Sequence, residues 1–355
     1  MKLEELGFSD WFEDKLDESM ISENKLARVT AASKEKYLIR NEVAEISAEI
    51  TGKMLFGAES NLDLPAVGDW VYVQYFNQNT FAIINGIMPR RSLLKRKVAG
   101  KKFDFQPIAS NIDMAFIMQS VEFDFNPRRL ERYLTMVNES DIKPFVLLSK
   151  IDLISHEELD KKTSEIKSQD PELEIIIFSN KTQQGLNDIQ MLLKTGKTYC
   201  LLGSSGVGKT TLINRLIGED RFETDFVRGK DGKGRHVTSR RQMIILEDGG
   251  MIVDTPGMRE LGNIAVDSGL KETFSDIKIL SQDCHFNDCK HVSEPGCAVI
   301  KAVKDDELSD ERYQNYLKIR KESNFNTMSY LEKRNKDKVF GKFIKTAKKD
   351  FRKKH

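Results

Sequence analysis

The sequence lacks the features of a chain that enters or crosses a membrane. No apolar run approaches the about 20 residues that a spanning helix needs. The start, MKLEELGFSDWFEDKL, has no basic stretch followed by an apolar core, as a signal peptide would have. Cysteine is scarce, with four residues, and three of them fall within 284–297. Such clustering suits metal binding in a reducing compartment better than a disulfide framework, so we expect a cytoplasmic protein without a membrane role.

Net charge is almost absent as well, at +1, but the charges are unevenly placed. The first 18 residues hold seven acids against two lysines, whereas residues 333–355 hold eleven Lys/Arg against two Asp. Hydrophobic residues make up 39% and charged residues 31% of the chain, which is typical of an ordinary folded protein. A chain of 355 residues is long enough for two or three domains.

Short β-rich runs fill residues 22–110, after an acidic extension at 1–21. The runs are LARVT, KYLIR, DWVYVQY and TFAIINGIM, and turn signals at Gly52, Gly57, Pro65, Gly68 and Gly86 separate them. This pattern predicts a small antiparallel β-barrel, with the oligonucleotide-binding (OB) type as one possibility. An all-β accessory domain without a nucleic-acid role is the alternative.

From residue 111 to 268, apolar strands alternate with amphipathic helices. The strand candidates are DMAFIMQS, PFVLLS, EIIIF, TYCLL, QMIIL and MIVD. Asn126-Pro127 predicts a helix start, and Ser155 with Glu158 predicts a capping box at the next one. The alternation favours a mainly parallel sheet with helices on both faces.

The run GSSGVGKTT fits the phosphate-loop pattern G-x-x-x-x-G-K-[ST] between a strand and a helix. Its glycines allow backbone N–H groups to surround an anion, and the helix N-terminus adds positive charge. We expect Lys209 to reach the β- and γ-phosphates and the Thr210 hydroxyl to bind Mg²⁺. The predicted nucleotide-binding residues of this run are Gly203, Ser204, Ser205, Gly206, Val207, Gly208, Lys209, Thr210 and Thr211. A glycine-rich turn without a ligand is the alternative.

A second phosphate-side element is DTPG, which ends the strand MIVD. Asp254 would hold Mg²⁺ through water, and the Gly257 N–H would meet the γ-phosphate. Between the two elements lies the polar, glycine-rich run RGKDGKGRHVTSRRQ, in which Thr238 is our choice for a second Mg²⁺ hydroxyl.

In proteins that begin with such a phosphate loop, the residues that recognise the nucleotide base normally follow it in the chain, but here that motif is missing downstream of residue 211. NKDK at 335–338 has Lys338 where [N/T]KxD needs an aspartate. Upstream, PFVLLS leads into Ser149, Lys150 and Asp152, and an aspartate there can accept two hydrogen bonds from guanine N1–H and its 2-amino group. Ser179 and Asn180 would form the second base loop, with a backbone N–H on guanine O6. This order predicts a circularly permuted GTPase domain.

Cys284, Cys289, His291 and Cys297 offer three thiolates and one imidazole, a set that suits one structural Zn²⁺ in a tetrahedral site. His285 is the rival imidazole, but it is crowded against Cys284. Cys200 falls inside a core strand, where packing is the expected role.

Together these motifs resemble the ribosome small-subunit-dependent GTPase A family. The resemblance extends through VGDWVYV at 67, PRRSLLKRK at 89 and QPIASNID at 106, and covers about residues 22–320. It implies an OB-like barrel, a permuted GTPase domain and, at 269–355, an α-helical zinc domain. It also implies a role in late maturation of the small (30S) ribosomal subunit, which stimulates GTP hydrolysis. The sequence departs from the family at Ser149, usually Asn, and at Asn180, usually Ala.

Hydrolysis poses a separate question, because Met258 stands where many GTPases place a water-orienting glutamine. We therefore expect slow intrinsic turnover. His236 is the candidate replacement, and a ribosomal surface that orders its loop would act as the activator. An exposed loop histidine without this role is the alternative.

The basic tail, KVFGKFIKTAKKDFRKKH, places Phe340, Phe343, Ile344 and Phe351 at helical spacing opposite a cationic face. It favours salt-sensitive contact with the rRNA backbone, against the alternative of a solvated helix. We expect a monomeric GTPase that binds GTP and GDP and the small subunit with its rRNA. An rRNA-binding scaffold with nucleotide as a conformational lock is the alternative, and Asp152 disfavours a nucleic-acid-dependent ATPase.

Overall fold

The N-terminal residues form two short helices that pack onto the rest of the molecule. The computed structural model describes residues 1–33, 36–97, 105–122, 124–219, 222, 241–255 and 268–327. The helices are α1 (Asp10–Glu13) and α2 (Glu18–Glu23). Leu6, Phe8 and Phe12 of this segment are buried against Trp70 and neighbouring residues. The acidic residues are the most evident feature of this segment in the sequence. Its apolar side chains are what bind it to the barrel.

A closed five-stranded barrel follows. Its elements are β1 (Lys25–Ala32), β2 (Tyr37–Arg40), β3 (Glu45–Ile50), α3 (Gly52–Gly57), β4 (Trp70–Phe76) and β5 (Phe81–Ile87). The strands pair in the order β1-β2-β3-β5-β4, and β4 pairs back with β1 to close the barrel. This confirms the OB-like barrel. The β3–β5 pair is parallel rather than antiparallel, because β4 reverses the chain between them.

A two-stranded ladder leads out of the barrel. It pairs β6 (Leu93–Lys97) with β7 (Phe105–Ser110) in antiparallel fashion.

The α/β domain contains the strand series that the sequence predicts. Its first half is β8 (Met114–Ser120), α4 (Pro127–Asn138), β9 (Lys143–Ser149), α5 (His156–Gln169), β10 (Glu174–Ile177) and α6 (Leu186–Leu192). Its second half is β11 (Thr198–Gly203), α7 (Lys209–Ile217), β12 (Arg241–Ile245) and β13 (Met251–Asp254). The Asn126 cap of α4 and the Ser155–Glu158 capping box of α5 are both confirmed.

The sheet of this domain runs β10-β9-β8-β11-β13-β12. Its pairs are parallel except β12 with β13. Alternate residues of the strands point to two separate cores, as expected for a sheet covered on both faces. Ala115, Ile117 and Leu202 face α4 and α5, whereas Phe116, Met118 and Leu201 face α6 and α7.

The barrel and the α/β domain share one continuous sheet. Ala31 and Ala32 of β1 pair with Gln242 and Arg241 of β12 in antiparallel fashion. The barrel strand β1 thereby adds to β12, the antiparallel edge strand of the α/β domain. The result is a row of eleven hydrogen-bonded strands. The two domains are joined by backbone bonds and not only by side chains.

The C-terminal part that the structure describes is helical. It consists of α8 (Ser268–Thr273), α9 (Ser275–Ser281), α10 (Ala298–Lys304) and α11 (Asp310–Thr327). Its small core includes Phe274, Val299 and Ile319, together with the cysteines of the predicted metal cluster. Among the described residues, no helix is long and apolar enough to cross a membrane.

Candidate nucleotide and metal sites

The glycine-rich loop (residues 203–210) connects β11 to α7, as the phosphate-loop pattern predicts. Two of its glycines are required by close neighbours. A Cβ on Gly203 would lie 2.4 Å from the Met118 carbonyl oxygen, and one on Gly208 would lie 2.8 Å from Asn180 Nδ2. Both residues also have positive φ, at 145° and 101°. The loop can take this shape only with glycine at these positions.

Lys209 is already held over the loop. Its Nζ donates to the carbonyl oxygens of Gly203, at 2.7 Å, and Ser204, at 2.6 Å. Asp254 ends β13 and is 8% exposed; burial raises the pKa of its carboxyl, and the charge of Lys209 partly opposes that shift. A lysine and a buried carboxylate therefore lie at the carboxyl edge of the sheet, and Thr210 follows Lys209 in the first turn of α7.

The predicted base-reading residues lie against the same loop. Ser149 Oγ donates to the Val207 carbonyl at 2.7 Å and to the Gln119 carbonyl at 3.2 Å. Asn180 Nδ2 donates to the Gly208 carbonyl at 3.1 Å. Residues from the ends of β9 and β10 thus bond directly to the loop that follows β11, as a circular permutation requires.

Asp152 is fixed by its neighbour from the second base loop. Ser179 Oγ donates to Asp152 Oδ1 at 2.6 Å and accepts from the N–H groups of Lys181 and Thr182, both at 3.1 Å. Lys150 adopts a left-handed conformation, with φ of 63°, at the sharp turn after β9. The Asp152 carboxylate is exposed and held in one orientation, which is what a recognition group needs.

Several predicted site residues lie outside the described residues. They are His236, Thr238, Gly257 and Met258, together with the basic tail from residue 333.

Sequence reasoning missed one cation at the loop. Arg129, in the first turn of α4, donates from Nη1 to Ser204 Oγ at 2.5 Å and to Asp124 Oδ1 at 2.6 Å. The only signal in the sequence was its position directly after the Asn126-Pro127 helix start.

A compact cluster gathers the predicted metal ligands. One potential ligand atom from each of Cys284, Cys289, His291 and Cys297 lies within 4.8 Å of all the others. His291 Nδ1 is 3.6 Å from Cys284 Sγ and 3.4 Å from Cys297 Sγ, and the two sulfurs are 3.8 Å apart. His285 is exposed and packs edge-on against Phe286 instead. The geometry therefore marks one metal site with His291 as its imidazole.

The segment that carries His291 is held by its surroundings. Glu294 accepts backbone N–H bonds from Lys290, Val292 and Ser293, and these bonds lower the pKa of Glu294 to about 2. Tyr313 Oη donates to the His291 carbonyl at 2.6 Å. The histidine is thus placed by a bonded turn and by α11, and cysteine positions alone do not determine its orientation.

Comparisons with known proteins agree with this geometry. Residues 87–264 match the model of the RsgA GTPase family. A protein of Vibrio parahaemolyticus named small ribosomal subunit biogenesis GTPase RsgA 2 is 36% identical over 99% of this chain and 94% of its own length. A protein of the same name from Lactiplantibacillus plantarum is 42% identical over 89% of each chain.

Solved structures give the same result. The crystal structure of YjeQ from Thermotoga maritima is similar, with a TM-score of 0.60 and 25% identity over 84% of this chain and 98% of that one. The structure of YloQ, described as a circularly permuted GTPase, has the same TM-score and identity over 86% of this chain and 97% of its own.

Proposed function

This chain belongs to the RsgA GTPase family, and on that basis we propose that it hydrolyses GTP during maturation of the small ribosomal subunit. The observation that carries the proposal is the contact between the predicted base-reading residues, which follow β9 and β10, and the glycine-rich loop. Ser149 and Asn180 bond to the carbonyls of Val207 and Gly208, so that Asp152 stands on the same side of the sheet as Lys209.

Guanine is read by the Asp152 carboxylate. Its two oxygens accept from N1–H and the 2-amino group, a pair of donors that adenine does not present. The Ser179 N–H is bonded to the Gln184 carbonyl at 3.0 Å, so the Asn180 N–H is assigned to guanine O6. Ser149 does not need to reach the base, because its hydroxyl joins the two loops. The stem of Lys150 packs along the ring.

The phosphates are held by the glycine-rich loop. Its N–H groups surround them, with Lys209 on the β- and γ-phosphates. Thr210 and Asp254 supply the oxygen ligands that Mg²⁺ prefers, and the ion, when bound, neutralises phosphate charge. Thr238 and Gly257 complete the γ-phosphate side, and His236 orients the attacking water when the ribosomal subunit is bound.

The metal of the C-terminal cluster is zinc. A tetrahedral zinc with bonds of about 2.3 Å separates its sulfurs by about 3.8 Å. Cys284 Sγ and Cys297 Sγ are 3.8 Å apart, and three sulfurs with one imidazole leave no open position. The zinc is therefore structural.

We assign residues 1–21 to an extension, 22–110 to the barrel, 111–268 to the permuted GTPase domain and 269–355 to the zinc domain. The basic tail contacts rRNA phosphates, for which its eleven Lys/Arg supply the charge. The protein acts as a cytoplasmic monomer, a setting in which the thiols of the cluster stay reduced.

One experiment tests base reading and the ribosomal role together. Turnover of GTP and of XTP is measured for the wild type and for Asp152→Asn, with and without small ribosomal subunits. Xanthine carries a carbonyl where guanine has the 2-amino group, so we expect the variant to prefer XTP. We expect small subunits to stimulate the wild type on GTP and the variant on XTP.

Asp160→Asn provides the matched control, since Asp160 is an exposed acid on α5 and should leave GTP preference unchanged. An Asp152→Asn protein that still prefers GTP would refute the base assignment. Turnover that small subunits do not change would favour the scaffold alternative, in which nucleotide is only a lock.

A further inference from the structure

Two cations meet at one residue of the glycine-rich loop, and the phosphate-loop pattern explains only one of them. Lys209 Nζ lies 2.6 Å from the Ser204 carbonyl oxygen, and Arg129 Nη1 lies 2.5 Å from the Ser204 hydroxyl. We propose that Arg129 is a further catalytic residue, which binds the γ-phosphoryl group of GTP and stabilises its charge during hydrolysis. The inference rests on the proposed GTPase function.

The backbone of Arg129 is fixed relative to the loop. The Asn126 side chain caps α4 by accepting the Arg129 N–H at 3.0 Å. Gln119, 1% exposed, bonds to both the N–H and the carbonyl of Asn126, at 3.3 Å and 3.1 Å. The Gln119 carbonyl in turn accepts from Ser149, the residue that joins the end of β9 to the glycine-rich loop. The start of α4 is therefore part of the same bonded assembly as the nucleotide site.

The Arg129 guanidinium has one anionic partner, Asp124, and leaves room for a second. The Arg129 side chain is 32% exposed, and one of its partners, the Ser204 hydroxyl, is neutral. A phosphoryl oxygen is a stronger acceptor for an arginine than a hydroxyl, because the hydrogen bond is assisted by both charges. Asp124 Oδ1 accepts from the same Nη1, and the Asp124 carbonyl accepts from Nη2 at 3.2 Å, so Asp124 holds the arginine beside the loop.

The reaction gives such a cation a function. The oxygen of water forms a bond to the γ-phosphorus, and the bond from that phosphorus to the β–γ bridging oxygen breaks. The electron pair of that bond stays on GDP, and a proton of the water is released with inorganic phosphate. Charge shifts among the oxygens of the transferring group, where a fixed cation lowers the barrier. Met258 cannot supply such help, and His236 is assigned to the water rather than to the phosphate.

The test compares Arg129→Ala and Arg129→Lys in the full-length protein. Arginines that contact the transferring phosphoryl group are worth roughly 10³–10⁵ in kcat in other GTPases. Because Arg129 is one-third exposed, we expect a smaller fall of about 100-fold in subunit-stimulated kcat for the alanine variant. Affinity for a non-hydrolysable GTP analogue and for GDP with aluminium fluoride should fall about tenfold, with GDP affinity unchanged. The lysine variant should recover part of each loss.

Arg132→Ala is the matched control, because it removes an equal charge one turn along α4, where Arg132 pairs with Glu322. It should leave all three affinities unchanged. Equal losses for GDP and for the GTP analogue in Arg129→Ala, with a lower Tm, would show a structural role and overturn the inference. An unchanged kcat would overturn it as well. A wild type that does not hydrolyse GTP would instead refute the proposed function.

Discussion

Two buried arginines join the outer domains to the GTPase domain, Arg28 on the barrel side and Arg312 on the C-terminal side. They are 1% and 4% exposed. Each brings a positive charge out of water, at a cost that its new partners must offset. The partners differ in kind, and so do the two junctions.

Arg28 is surrounded by neutral acceptors. Its guanidinium donates to the Leu6 carbonyl, to the Gly68 and Asn111 carbonyls at 3.2 and 3.3 Å, and to Thr198 Oγ1 at 2.8 Å. Burial lowers the pKa of Arg28 to about 10. These acceptors come from the N-terminal segment, the barrel and the GTPase domain, so one side chain bonds to all three.

Arg312 is bonded mainly to carboxylates, and also to the Thr273 carbonyl at 3.0 Å. Nε and Nη2 bond to the two oxygens of Asp276 at 2.7 and 2.9 Å, and Nη1 bonds to Glu131 Oε1 at 2.8 Å. Burial alone would lower the pKa of Arg312, but the bonds and charges of Asp276 and Glu131 outweigh it and raise the pKa. Around this pair, Arg128 and Asn315 bond to Glu131, and Arg132 bonds to Glu322.

The difference shows which junction can open. Backbone carbonyls and the β1–β12 pairing do not change with protonation or salt, so the barrel and the GTPase domain should behave as one cooperative unit. The C-terminal junction is bonded through side chains, among them the ion pairs of Arg312 with Glu131 and of Arg132 with Glu322, whose strength depends on solvent and on charge. We expect the C-terminal domain to separate before the rest unfolds.

Removal of the metal should have the largest effect, and the loss of structure should be confined to the C-terminal domain. Structural zinc sites contribute about 10–16 kcal/mol in small peptides at pH 7, and the C-terminal core here is small. We expect a chelator, or Cys289→Ser, to remove protection from amide exchange in residues 268–324 while residues 25–32 and 241–255 keep theirs. Exchange measured by mass spectrometry checks this.

His285→Ala is the control for that experiment, because His285 is exposed and lies outside the cluster. It should retain one zinc per chain by metal analysis. Loss of zinc in this variant, or loss of barrel protection on chelation, would contradict the separation of the two regions.

The Arg28→Met variant should have the next largest effect. It removes the arginine donor from the Leu6 and Asn111 carbonyls and the Thr198 hydroxyl, and each unsatisfied acceptor costs about 1–3 kcal/mol. The Gly68 carbonyl keeps its bond from Asn111 Nδ2 at 3.0 Å. Allowing for relaxation, we expect a loss of about 3–5 kcal/mol in the free energy of unfolding, measured in urea, for the barrel and GTPase domain together. Arg215→Met, on the exposed side of α7, should change it by less than about 0.5 kcal/mol. Two separate transitions in Arg28→Met would refute the single unit.

Sequence reasoning could reach those parts of the molecule whose signals are local. The cap at Asn126, the capping box at Ser155 and the strands of the GTPase domain depend on neighbouring residues, and the structure confirms them. The proximity of Ser149 to the glycine-rich loop was also predictable, because parallel strands place their carboxyl ends at one edge.

The remaining features depend on partners distant in the chain. In the sequence Arg28 is only a polar residue inside a β-rich run, whereas one of its acceptors in the fold, Thr198 Oγ1, is 170 residues away. The pairing of β1 with β12 joins two predicted domains through strands that each looked complete. Arg129 belongs to an evident helix, but only the fold shows that its side chain reaches Ser204.

The smallest of these effects is expected for Arg312→Met, and it should depend on pH. The change leaves Asp276 and Glu131 without their main cation, at a cost of about 2–3 kcal/mol at neutral pH, since Arg128 and Asn315 still bond to Glu131. Burial raises the pKa of Glu131, and Arg312 opposes that shift, so the variant should raise it further. An acid whose pKa is higher in the folded state binds its proton more tightly there. The free energy of unfolding therefore falls as the pH rises from the pKa of the unfolded state towards the pKa of the folded state. The variant should therefore lose less at about pH 5 than at about pH 8.

Adding Glu131→Gln to Arg312→Met extends the comparison between the two junctions. A neutral amide removes the buried charge that only Arg128 still balances, so the double variant should regain part of the lost stability and most of the pH dependence should disappear. Urea unfolding followed at both pH values, with amide exchange in α8 and α11, measures this. No such rescue exists for Arg28→Met, because its acceptors are mostly backbone carbonyls that substitution cannot remove. A double variant no more stable than Arg312→Met would show that the C-terminal junction depends on the shape of the arginine rather than on its charge.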